Sequence, residues 1–159
     1  MGFFVVSPED AGHAEPQGSV GMPLYVFDTW LGDDLVRAHP VFLATTRLKD
    51  TLETLPGPTG FHSARIRVER SPFLRRHRPR LRLPTFWALE IYGQAGRHPL
   101  GLAADRSLVV SQAALDCLVQ HSIPHAQLSQ FVPPGKAQRN PDFPEPAAEP
   151  RAVERVDEG

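Results

Sequence analysis

The sequence predicts a single α+β domain over residues 1–132, with helices packed on a mixed or antiparallel sheet. Three observations predict it: short apolar stretches bounded by turn residues, two apolar stripes at helical spacing behind capping hydroxyls, and a hydrophobic content of 41% over 159 residues, enough for one core.

The elements follow in order. Phe3-Phe4-Val5-Val6 reads as a strand, and Ser7 to Gly21 as a polar loop. Leu24-Tyr25-Val26-Phe27 is again β-prone, and Asp33 or Asp34 is placed to cap one or two helical turns before Pro40 stops them. Val41-Phe42-Leu43-Ala44 forms a strand, Thr45 or Thr46 caps, and Leu48, Leu52 and Leu55 recur at helical spacing until Pro56-Gly57-Pro58. The alternation of Ala64-Arg65-Ile66-Arg67-Val68-Glu69 is that of one strand with a charged face. Leu83 to Gly93 is the most aromatic stretch and reads as a central strand, followed by a loop carrying Gly93, Gly96 and Gly101. Ser107-Leu108-Val109-Val110, the cap Ser111, the stripe Ala114-Leu115-Leu118 and the alternating Ala126–Phe131 then repeat the earlier order. Aligning Thr45 with Ser111 gives two strand-helix-strand units, as a duplication would leave them or as any two capped helices between strands would look. From Pro133 onward, six prolines in 27 residues predict a disordered tail, 133–159.

Charge is segregated although the net value is −1. Residues 1–40 hold six acids against Arg37, whereas 65–82 hold eight arginines against Glu69. Such asymmetry either steers a charged partner or holds two parts of one fold together. The start lacks a basic leader and a long apolar run, and the one cysteine, Cys117, suits a reducing compartment, so a cytoplasmic location without membrane association is expected.

No catalytic motif emerges. Cys117 and His121 lie four apart on a predicted helix, but mid-helix beside Leu118, where a packed thiol is the better reading than a nucleophile. His121 and His125 have zinc spacing, yet Pro124 breaks the helix that would align them, and no metal or cofactor is assigned. Glu9-Asp10 and Asp33-Asp34 are adjacent acids that suit capping or turns. The arginine run around Phe73 and His77 suits nucleic-acid binding, by phosphate neutralisation and base stacking, or a solvated or protein-facing surface.

Val41-Phe42-Leu43-Ala44-Thr45 with Thr59-Gly60-Phe61, Phe86-Trp87-Ala88-Leu89, and Leu108 to Leu115 resemble immunity proteins of bacterial polymorphic-toxin systems over roughly residues 41–132. The second unit departs from that pattern, with Ser122-Ile123-Pro124 where a Thr-Gly-Phe-like turn belongs. The resemblance implies a non-enzymatic protein that binds and neutralises a cognate toxin domain without catalytic residues. Trp30, Asp33 and Asp34 on the acidic side, or Arg75, Arg76 and Arg78 on the basic side, are then the candidate partner contacts.

Overall fold

The structure, a computed structural model, describes residues 2–15 and 21–133, so the proline-rich tail lies outside the described residues apart from Pro133. The strands are β1 (Phe3–Ser7), β2 (Glu9–Ala14), β3 (Leu24–Phe27), β4 (Leu35–His39), β5 (Val41–Thr45), β6 (Phe61–Arg65), β7 (Arg67–Arg70), β8 (Phe86–Ile91), β9 (Leu100–Leu102), β10 (Leu108–Ser111) and β11 (Gln127–Gln130). The helices are α1 (Thr46–Glu53), α2 (Pro72–His77) and α3 (Gln112–Val119). The class is α+β with a mixed sheet, and strands outweigh helices.

Two sheets form. One has the order β11-β1-β10-β9, the other β6-β8-β5-β4-β2-β3-β7. In the larger sheet β2 and β4 run parallel, as do β3 and β7, and the other pairs are antiparallel. Its edge strands β6 and β7 are separated in sequence by Ile66 alone, so the sheet curls until its two edges meet. The strands flanking α1 are not bonded to each other, because β8 lies between them; β1 lies in the same way between the strands flanking α3.

The curl is filled by Tyr25, Phe27, Val36, Leu43, Phe86 and Ala88, with Leu74 of α2 inserted among them. On the opposite face Phe42, Ala44 and Leu89 meet Leu48 and Leu52 of α1, Ala114 and Leu118 of α3, and Val6, Leu108 and Val110 of the smaller sheet. Strands β4, β5 and β8 are therefore buried on both faces, and Val41–Ala44 of β5 and Phe86–Leu89 of β8 accordingly read as continuous apolar runs. Burying a side chain such as Leu48 or Phe86 stabilises the fold by about 1.5–3 kcal/mol each.

Ser111 caps α3 by accepting from the Ala114 amide at 3.1 Å. Thr45 occupies the equivalent position of α1 but makes no side-chain cap; its hydroxyl donates to Asp34 instead.

Four sequence expectations are corrected. The Ser7–Gly21 loop contains β2, whose Gly12 has no Cβ because one there would collide with the Val26 carbonyl oxygen across the β2–β3 pair. The segment after Asp34 is β4 rather than a helical turn, since Leu35 and Val36 face opposite cores and Pro40 sits in the β4–β5 hairpin. The 64–69 alternation is split between β6 and β7, which pair at opposite edges of the sheet. The glycine-bearing loop includes β9, where Gly101 pairs Val109. Among the described residues no helix is long and apolar enough to cross a membrane.

Candidate functional site

Of the six partner contacts read from sequence, the structure joins four and leaves two apart. The loop entering β4 turns Trp30 inward: its ring meets Phe86 edge-on at 6.2 Å and its Nε1 donates to the Asp33 carbonyl at 2.8 Å. Arg78, at the end of α2, donates through Nη1 to the Trp30 carbonyl at 2.9 Å. Asp33 and Asp34 are 0% and 3% exposed, with their carboxylates turned into the fold rather than toward solvent. They face inward because each carboxylate replaces water with donors supplied by the fold.

Asp34 accepts from Thr45 Oγ1 at 2.8 Å, from Arg47 Nε at 3.1 Å and Nη2 at 2.8 Å, and from the Ser122 amide at 2.8 Å. Burial pushes its pKa up, but the bonds from Arg47, Ser122 and Thr45 outweigh burial and hold the carboxyl below its ordinary value. Asp33 accepts from the His125 amide at 2.9 Å and lies 2.6 Å from His125 Nδ1. That bond, partly offset by burial, raises the His125 pKa.

A third carboxylate joins them. Glu9, at the start of β2, is 9% exposed; its Oε1 accepts a long bond of 3.4 Å from the Leu31 amide, and its Oε2 is buried with no hydrogen-bond partner. Burial raises the Glu9 pKa, against the Leu31 bond and with help from the Asp33 charge. One ligand atom each of Glu9, Asp33 and His125 falls within 4.8 Å of the others. Nothing local in the chain signals this cluster, since Asp33 and His125 are 92 positions apart and the Glu9 strand reads as loop.

His121 is committed elsewhere, with Nε2 2.9 Å from Thr51 Oγ1 and Nδ1 3.9 Å from Asp34. Cys117 is partly buried, and burial followed by the Asp116 charge raises its pKa, which keeps the thiol protonated and a poor nucleophile.

The basic side is a surface. Ser71 caps α2 by accepting from the Leu74 amide at 3.1 Å, Pro72 opens the helix, and Leu74 anchors it at 2% exposure. Behind α2 lies an open groove of about 1060 Å³, rimmed by Arg70, Arg75, Arg80 and Arg82 and floored by Leu81 and Leu83. Arg70 and Arg75 are partly spent on the backbone, bonding Pro79 O at 3.0 Å and Arg70 O at 3.1 Å. Arg76, Arg80 and Arg82 are exposed, and Phe73, 54% exposed, stacks on His77 with centroids 4.0 Å apart. None of the eight arginines between 65 and 82 forms an ion pair among the described residues.

No family model, curated protein or solved structure matches the chain.

Proposed function

We propose that this chain is a non-enzymatic protein-binding module, an immunity-type protein that captures the acidic surface of a cognate bacterial toxin domain with its arginine-rich face. One observation carries the reading: Arg70, Arg75, Arg80 and Arg82 rim one groove, and none of the eight arginines between 65 and 82 has a carboxylate partner of its own among the described residues. A partner that brings the counter-charge gains charge-assisted and bidentate bonds, and the apolar floor of Leu81 and Leu83 offers its side chains a place to bury. The resemblance of residues 41–132 to immunity proteins supplies the kind of partner. We read the 41–65 and 108–130 segments as copies of one strand-helix-strand unit, a reading supported by the matching extended backbone of Thr45 and Ser111 before their helices.

A second reading, single-stranded nucleic acid, is favoured by the exposed Phe73–His77 stack beside the arginines. The net charge of −1 weighs against it, because nucleic-acid binders are usually basic overall.

The test is co-expression with the toxin encoded beside its gene. The full chain is expected to restore growth and co-purify with the toxin at one-to-one stoichiometry, and the triple variant R76E/R80E/R82E is expected to lose both while remaining folded. Restored growth with the triple variant overturns the assigned face. Binding of a single-stranded RNA oligomer that falls steeply with salt, with no toxin captured, replaces this reading with the second.

A further inference from the structure

We infer that Glu9, Asp33 and His125 form a site for one divalent transition-metal ion, and that Zn²⁺ is the ion it fits best. The three ligands come from distant segments: the start of β2, the loop before β4, and the loop between α3 and β11. Their ligand atoms are gathered within 4.8 Å of one another.

The cluster alone would describe a hydrogen-bonded pair beside a stray acid. Glu9 makes it more than that, because Oε2 is the one buried side-chain polar atom without a partner among the described residues. Native proteins rarely leave a buried carboxylate oxygen bare, since it gives up water without a replacement partner. The orphan lies on the same carboxylate that closes the three-residue cluster.

Charge and ligand type agree. Two carboxylates, a neutral imidazole and a divalent ion sum to zero, whereas two carboxylates with one imidazolium leave a buried negative charge. A nitrogen ligand among so few oxygens disfavours calcium and magnesium, which take six or more oxygen ligands or keep their waters, and suits zinc with three protein ligands and one open position.

The geometry needs a small movement. Tetrahedral bonds of about 2.0–2.2 Å set ligand atoms roughly 3.3 Å apart. His125 Nδ1 and Asp33 Oδ1, now at 2.6 Å, must therefore separate by about 0.7 Å as the ion replaces the proton between them and that proton leaves to solvent. The His125 side chain is 44% exposed, so its ring has room to withdraw and the ion has a path from water. Because β2 and β4 belong to the larger sheet and β11 to the smaller, the ion would clip the two sheets together.

Calorimetric titration of the EDTA-treated full chain with ZnCl₂ and, separately, MgCl₂ tests the assignment. One Zn²⁺ per chain is expected, with Tm rising as Zn²⁺ is added and Mg²⁺ binding far more weakly. Glu9→Gln and His125→Ala are each expected to raise Kd at least about tenfold, and Cys117→Ser to leave it unchanged. His125 lies at the surface, so its variant keeps the test open if the Glu9 variant fails to fold. Absence of Zn²⁺ binding to the wild-type chain overturns the site, as does Zn²⁺ binding that persists in the His125 variant or Mg²⁺ binding as tight as that of Zn²⁺.

Discussion

Replacing Asp34 by alanine is expected to destabilise the fold by about 3 kcal/mol at pH 7. The figure follows from the donors left behind. Thr45, 5% exposed, loses the acceptor of its hydroxyl at 2.8 Å, and the Ser122 amide loses its own at 2.8 Å. A buried donor without a partner costs about 1–3 kcal/mol, and the more exposed Ser122 amide regains part of its loss from water. Arg47 adds nothing to this sum, because its side chain is 66% exposed and water replaces the carboxylate. For a domain of this size the loss corresponds to a fall of about 10 °C in Tm. Asp34→Asn, which keeps one acceptor and the shape, should fall between alanine and wild type.

Denaturant unfolding followed by circular dichroism at pH 7 and pH 3 measures both the loss and its pH dependence. The carboxyl has a folded pKa below its unfolded value of about 3.9, so its stabilisation is present above that value and disappears as pH falls through the folded pKa. The gap between wild type and Asp34→Ala should therefore narrow at pH 3. A loss below about 0.5 kcal/mol at pH 7, or a gap that stays constant between the two conditions, would refute the role given to these bonds.

Other outcomes follow from the same structure. Gly12→Ala places a Cβ against the Val26 carbonyl and should cost about 3 kcal/mol or more, read as a lost or non-cooperative unfolding transition; near-wild-type stability would show that the β2–β3 pair can part there. Leu48→Ala empties a site of 0% exposure between α1 and both sheets and should cost about 2–5 kcal/mol in the same assay. Cys117 should react with a thiol reagent far more slowly in the native chain than in denaturant at pH 7; equal rates would reopen a nucleophilic role. In the metal-free chain the His125 ring should titrate by NMR with a midpoint above about 6.5, so its pairing with Asp33 contributes fully below that pH and is lost as pH rises through the higher folded value.

Much of the fold was legible where local chemistry decides it. The apolar run Val41–Ala44, the leucine stripe of α1 and the Ser111 cap each carry their own signal within a few residues. Pairing across the chain left no such trace. Glu9-Asp10-Ala11-Gly12-His13-Ala14 has neither β-branched nor large apolar residues, and it is a strand only because β3 and β4 flank it on both sides. Asp33 and Asp34 look like helix caps for the same reason: their true partners, His125 and Ser122, lie at the far end of the domain. The arginine run was visible as composition, whereas the groove behind α2 depends on Leu74 docking into the curl.

The placement of β1 between β10 and β11 bears on how a ribosome-born chain matures. Phe4 and Val5 leave the tunnel more than a hundred codons ahead of the residues they pair with, Val110 and Ser129. Until then an apolar ribbon must wait unpaired, in a topology dominated by such distant closures and therefore slow to form. A chaperone that shields β1 until β10 and β11 emerge should raise the yield of native protein more than one acting on a stretch that pairs locally.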